Sequence, residues 1–316
     1  MADIHVKNFY AVNAGPPWYR RMIKDWRLYV LLLPALTWLI LFCYVPMYGV
    51  LIAFKFFRGN GMAGILNSEW AGLRYFRMFF ESNIFGNIIR NTLNISVKSL
   101  LAGFPVPVIF ALMVNRLRNH RFKRTVQMVT YMPNYITTVV IVSMLGIFFA
   151  PNGMINMIAC IFGAEKTISY ANSGQFLPIL IGSGIWQGMG FGAIIYVAAL
   201  SSISPELYEA ARIDGASTLK TIWHIDLPGI VPTIVMLLIL SVGGLMSVGH
   251  EKVLLMQSGM NIMQSEIIST YVFKIGIMSA QHSYATAIGL FNSVINFVLL
   301  LLTNLIAKKT TEIGLF

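Results

Sequence analysis

The sequence predicts an all-α integral membrane protein with six transmembrane helices, and three observations carry that prediction. Of its 316 residues, 57% are hydrophobic and only 11% charged, with a mean hydropathy of +0.70; soluble domains carry about 25% charged residues. Six stretches are long enough to cross a hydrocarbon core, which takes roughly 20 apolar residues in a helix. Runs such as VVIVSMLGIFF at 139–149 lack the alternating polarity of a membrane β-barrel.

Taken in order, residues 1–27 read as a cytoplasmic N-terminal arm. Pro16-Pro17-Trp18-Tyr19 and the basic residues after them suit the headgroup layer, so membrane lipid is an expected partner. No removable signal peptide is expected, because the first apolar run is too long and lacks a small-residue cleavage site. The first span, 28–54, contains no Asp, Glu, Lys, Arg or His; the second, 91–115, contains only Lys98. The third, 125–150, and the fourth, 175–203, contain none, nor do the fifth, 229–249, and the sixth, 283–307. Pro34, Pro46, Pro105, Pro107, Pro133, Pro178 and Pro232 predict kinked helices that re-satisfy freed carbonyls on their neighbours. The domain plan is therefore an arm 1–27, a six-span bundle 28–307 interrupted by a cytoplasmic loop at 204–228, and a cytoplasmic tail 308–316.

Charge sets the orientation. Fourteen Lys and Arg flank the side holding both termini, five of them between Arg116 and Arg124, against eight on the other side; positive flanks stay cytoplasmic. The net charge of +11 is spread too thinly through apolar sequence for a nucleic-acid surface. Cys43 and Cys160 fit no disulfide or redox pattern and are expected to be free thiols. The five histidines show no metal-ligand spacing, and no nucleophile elbow or catalytic cluster is visible, so neither a metal site nor an enzyme is expected. His250-Glu251-Lys252 reads as an interfacial, solvated group.

The informative segment is the loop before the fifth span, which holds Glu206, Glu209, Asp214 and Asp226. Ser204 suits a helix cap, Pro205 a first helical position, and Glu206 the positive end of the dipole. Asp214-Gly215 should stop that helix after about two turns. A second should begin near Ser217 and end before Pro228. Leu207, Tyr208 and Ala211 share a face, and so short a helix needs a partner to hold it. Docking in a groove of another protein and resting on lipid are both open.

Within this loop, Glu209-Ala210-Ala211, Asp214-Gly215-Ala216, Ile225, Leu227-Pro228 and Pro232 resemble the "EAA" loop of ABC-type import permeases of the carbohydrate-uptake group. Segments 151–164 and 183–217 look like the branch that imports alginate or aldouronate oligosaccharides, and within it the first permease subunit. The resemblance implies the ABC importer type I permease fold in a bacterial inner membrane, moving an oligosaccharide, acidic and alginate-like, by alternating access. Implied partners are a second permease subunit, two ATP-binding subunits that hold ATP and magnesium, a periplasmic solute-binding protein and the oligosaccharide itself. No cofactor is implied in this chain. The nearest phosphate-loop lookalike, Gly163-Ala164-Glu165-Lys166-Thr167, lacks the required spacing. By resemblance the helix from Pro205 to Arg212 is the coupling helix. Its ATPase-coupling residues are Glu206, Leu207, Tyr208, Glu209, Ala210, Ala211, Arg212, Asp214 and Gly215, with Trp223 a loose match to an aromatic of the family pattern.

Polar groups inside spans mark candidate substrate-pathway residues: Asn134, Tyr135, Trp186, Gln187, Asn292 and Asn296. Helix-helix glue or an interfacial anchor is the competing reading for each. Glycines 182, 184, 188, 190 and 192 read as close-packing positions. Lys98, Arg74, Arg77 and Arg90 are placed to steer an anionic sugar, or to pair with Glu69, Glu81 or lipid phosphate. The alternative function, an ion-driven secondary transporter, needs intramembrane acids, and the six spans as drawn hold no Asp or Glu.

Overall fold

A computed structural model of the chain describes residues 25–59, 61–163, 169–247, 249–312 and 314–315. Most of the N-terminal arm and the phosphate-loop lookalike fall outside them. The regular secondary structure among the described residues is helical, apart from one isolated bridge between Lys55 and Trp70. They divide into two compact units, one ending at Leu51 and one beginning at Ile52.

The first unit is built on α1 (Trp26–Leu39), a π turn at Ile40–Tyr44 and a short helix Val45–Met47. No residue of α1 is buried, and an all-round apolar helix with that exposure is what a lipid-embedded span presents. The π turn has a local cause. Pro46 cannot donate, and the N–H of Val45 before it reaches back five residues to the Ile40 carbonyl.

The second unit holds the other spans. The second runs through α2 (Phe85–Gly103) and α3 (Pro105–Asn115). The third is α4 (His120–Tyr131) and α5 (Thr138–Phe148). The fourth is the single helix α6 (Ser173–Ser201), whose 29 residues are roughly 43 Å long at 1.5 Å per residue. A short helix α7 (Pro205–Ile213) precedes the fifth span, whose main part is α8 (Leu227–Gly243). Then come α9 (His250–Met256), α10 (Ile268–Phe273) and α11 (His282–Thr311). The six-span expectation stands, with the third span broken and the last helix reaching Thr311 rather than 307, so that Lys308 and Lys309 join its final turn. Cations there suit the negative end of the helix dipole.

Two expectations are corrected. The third span is not one helix: a 3-10 turn at Met132–Tyr135 and extended backbone at Ile136 and Thr137 bend it by 96°. Gln187 donates to the Ile136 carbonyl at 3.3 Å, satisfying a group that the break frees. The hairpin's second helix does not end before Pro228 either. From Thr218 it continues through a π turn, Ile222–Asp226, into α8, as one span Thr218–Gly243. Leu227, before the proline, donates five residues back to Ile222, the same solution as at Pro46. Asp226 therefore lies inside an apolar span, contrary to the expectation that the spans hold no acid.

Three buried clusters run along the bundle. Val108, Ala111, Ala193, Tyr196, Leu200 and Ile230 join the second, fourth and fifth spans. Ile95, Val142, Phe176, Leu180, Val253, Met256 and Ile267 gather around α9. Phe79, Ile88, Met246, Ile268, Tyr284 and Ile288 bind α10 and α11 to α2. Lipid is as apolar as leucine, so these clusters hold by packing and close approach rather than by transfer from water. At Gly190 an added Cβ would stand 2.2 Å from the Thr130 carbonyl oxygen, so α4 and α6 cross there in backbone contact.

Candidate functional site

The hairpin between the fourth and fifth spans is capped at every end by its own sequence. Ser204 Oγ accepts the Glu206 N–H at 3.3 Å, Pro205 opens α7, Glu206 lies in the first turn and Arg212 in the last. At the far end the N–H of Gly215 donates to the Arg212 carbonyl (3.1 Å) and that of Ala216 to Ala211 (2.9 Å), the paired bonds of a Schellman stop. Gly215 has φ +68°, the left-handed conformation that a β-carbon disfavours. Ser217 Oγ then accepts the Lys220 N–H at 3.4 Å and starts the next helix. Only four residues, 214–217, separate the two helices, so the hairpin is tight.

One network fastens this hairpin to the bundle. Asp226 is fully buried. One carboxylate oxygen accepts from the Tyr208 hydroxyl at 2.6 Å and the other pairs with the Arg116 guanidinium. Arg116 also lies over the Tyr208 ring, 5.5 Å from its centroid. Arg116 caps the end of α3, Tyr208 sits in α7, and Asp226 closes the π turn that leads into α8. The second span, the hairpin helix and the fifth span are thus joined through one carboxylate. Burial, then the hydrogen bond and charge of Asp226, push the Tyr208 pKa up to about 12, keeping its hydroxyl a donor. Beside the network lies a cleft of about 430 Å³ lined by Asn115, Leu200, Ile203, Tyr208, Glu209 and Arg212.

The structure divides the residues assigned to this loop. Tyr208 and Ala211 are half-buried against the chain, whereas Leu207 is exposed and does not share their face. Glu206, Glu209, Ala210, Arg212, Asp214 and Gly215 are exposed with it. Leu207 (52% exposed), Ile213 (86%), Leu219 (70%) and Trp223 (64%) leave an apolar surface on the hairpin, edged by those charges. Sequence reading missed Arg116 and Asp226 as anchors. The signal available was an acid two residues before Pro228, next to a long apolar run.

The intramembrane candidates separate as well. Tyr135 is 77% exposed and meets Phe191 edge to face, and Asn134 is half-buried beside it in the 3-10 turn. Trp186 lines an apolar cavity of about 460 Å³ between α5 and α6. Gln187 serves the helix break. Asn296 accepts from the Met246 N–H and donates to Ser247 Oγ, both at 2.9 Å, as helix-helix glue. The buried Asn292 Oδ1 has no partner among the described residues. Of the steering cations, Arg77 pairs with Glu81 at 3.8 Å and Arg74 lies over Phe56, while Lys98 is exposed on α2. Of the five glycines on α6, Gly190 and Gly192 meet neighbours, but Gly182, Gly184 and Gly188 face open space, which corrects the close-packing reading for those three. Lys252, expected in solvent, is 9% exposed.

Known proteins align with this architecture. Residues 103–312 match the family described as binding-protein-dependent transport system inner membrane component. Protein LplB of Bacillus subtilis (strain 168) is 39% identical over 96% of this chain and 95% of its own length. The polygalacturonan/rhamnogalacturonan transport system permease protein YteP of the same strain is 39% identical over 94% of this chain and 92% of its length. Among solved structures, a bacterial ABC transporter involved in the import of the acidic polysaccharide alginate superposes with TM-score 0.85 at 35% identity, covering 94% of this chain and 100% of the matched one. A bacterial alginate ABC transporter in complex with an alginate pentasaccharide-bound periplasmic protein superposes with TM-score 0.86 at the same identity, over 95% of this chain.

Proposed function

This chain belongs to the binding-protein-dependent transport system inner membrane component family, and from that premise we propose that it is one of two pore-forming permeases of an ATP-driven importer for acidic oligosaccharides. The observation that carries the reading is the hairpin: a short helix with an exposed apolar and charged outer face, tied by Asp226 to two membrane spans. Such a helix is a handle for an external motor. Two ATP-binding subunits supply the groove for Leu207, Ile213 and Trp223. Their ATP-driven approach moves α7, and the Tyr208–Asp226–Arg116 link carries that movement into the second and fifth spans. The pore then alternates between outward and inward openings, and the energy available is the motor's differential affinity for the two states.

The substrate class rests on the relatives: a polygalacturonan/rhamnogalacturonan permease and alginate transporters handle acidic sugars. A solute-binding protein would deliver the sugar at the face opposite the hairpin, and Tyr135, Trp186 and Asn292 keep groups free to meet it. In this reading both termini and the hairpin are cytoplasmic, flanking the 28–307 bundle with the arm 1–27 and the tail 308–316. Reconstitution of both permeases, the ATP-binding subunits and the binding protein tests it. ATP hydrolysis should rise with uronate oligosaccharides, and this chain alone should move nothing. Ion-driven uptake by this chain alone would overturn it in favour of a secondary transporter.

A further inference from the structure

Lys252 sits in a place that neither the hairpin nor the packing explains. It is carried by α9, whose exposed side holds His250 and Glu251 and whose buried side places Val253 and Met256 in the cluster around Ile95 and Leu180. The lysine points to the same inner side. It is 9% exposed, and its ammonium nitrogen has no hydrogen-bond partner among the described residues.

Lys252 helps to line a cavity of about 360 Å³ with Ser99, Gly103, Pro107, Gly184 and Gly188, within the ~300–1,000 Å³ of small-ligand sites, its ammonium shielded at the cavity wall. Ser99 and Gly103 lie near the middle of the second span, Phe85–Asn115, and Gly184 and Gly188 near the middle of the fourth, Ser173–Ser201. The cavity therefore lies halfway along both of these spans. A Cβ on Gly184 or Gly188 would meet nothing within 4 Å, so these two positions keep room open rather than seat a neighbour. Nearby acids are otherwise engaged: Glu251 is exposed on the opposite side of α9, and Glu266 is paired with Lys274 at 2.7 Å.

A buried ammonium without a counter-ion destabilises the fold that contains it, and an unpaired ionisable group at membrane depth marks a transport pathway. The missing partner is an anion small enough to enter the cavity. We propose that Lys252 is the position at which this subunit holds a carboxylate of its acidic oligosaccharide as the sugar crosses the middle of the membrane. Ser99 lines the same cavity with a hydroxyl, and the glycine backbones of α6 let a sugar ring approach closely. The proposal rests on the reading of the chain as an acidic-oligosaccharide permease.

The test uses the full importer in liposomes, with Lys252→Met and Lys252→Arg, and two probes of equal length: a uronate oligosaccharide and its carboxyl-methylated form. Lys252→Met should lower uptake of the uronate roughly tenfold or more, the scale of one lost charge-assisted bond, while uptake of the methylated form stays as in the unaltered importer. Lys252→Arg should restore most of the difference. Because Met removes an unpaired charge and keeps the chain length, its assembly should form in the same yield and melt no lower. Equal uronate uptake by Lys252→Met and the unaltered protein would overturn the assignment of Lys252 alone. So would equal loss of both probes, or failure to assemble, since either makes the lysine structural or part of a subunit contact. No stimulation of the unaltered importer by any uronate would instead overturn the substrate reading beneath it.

Discussion

The hairpin anchor and the mid-span cavity both bring a charged side chain into the bundle, and they differ in what surrounds it. Asp226 is fully buried and fully answered, by the guanidinium of Arg116 and the hydroxyl of Tyr208. Lys252 is nearly as buried and answered by nothing among the described residues. A closed network resists deformation, because parting any pair leaves a buried charge exposed to apolar surroundings, so displacement at one member is passed to the others. An open charge has spare bonding capacity and suits a transient guest. The glycines of α6 divide in the same way: Gly190 is pressed against the Thr130 carbonyl, whereas Gly184 borders empty space.

The comparison breaks most visibly at Asp226. Asp226→Ala strands Arg116 and frees Tyr208, and should lower stability by about 3–5 kcal/mol, read as reduced yield and melting temperature of the detergent-solubilised complex. An unchanged melting temperature would mean that the network carries no load. Next in size is the glycine contrast. Gly190→Ala should cost about 1–3 kcal/mol by overpacking against Thr130, while Gly184→Ala should be neutral or raise stability by up to about 1 kcal/mol through helix propensity; similar effects at both sites would erase the distinction.

Gly215→Val forces a β-branched residue into a left-handed turn, at a cost of roughly 1–2 kcal/mol. Its sharper reading is functional, since ATP hydrolysis should continue while uptake falls. The smallest effect on this network is Tyr208→Phe, about 1.5 kcal/mol, the lower end for one hydrogen bond to a charged acceptor. Folding raises the Tyr208 pKa from 10.0 to about 12, so the bond's contribution is complete below pH 10 and lost as pH climbs from 10 toward 12. The gap in thermal melts between the unaltered protein and Tyr208→Phe should therefore stay constant from about pH 6 to 9.

Long apolar runs made the spans legible, because hydropathy is a local property of sequence. The caps of α7 were legible for the same reason: Ser204, Pro205 and Gly215 act on their immediate neighbours. The break in the third span was not. Pro34, Pro178 and Pro232 sit inside continuous helices, so a proline such as Pro133 does not by itself announce a 96° bend; the broken backbone is answered by Gln187, which reaches the Ile136 carbonyl across 51 residues of sequence. Asp226 looked like a loop acid because its partner Arg116 is 110 residues distant. Lys252 looked solvated because burial follows from the docking of α9 among other helices, which no pattern within His250–Met256 encodes.

The central claim is that the hairpin meets a motor inside the cell. Its most direct test is thiol labelling of Leu207→Cys and Ile213→Cys, with Cys43 and Cys160 replaced by serine, using a membrane-impermeant maleimide on intact cells and on inverted membrane vesicles. Labelling should occur only in inverted vesicles stripped of the ATP-binding subunits, and rebinding those subunits should block it. Labelling in intact cells, or labelling indifferent to the ATP-binding subunits, would contradict the claim.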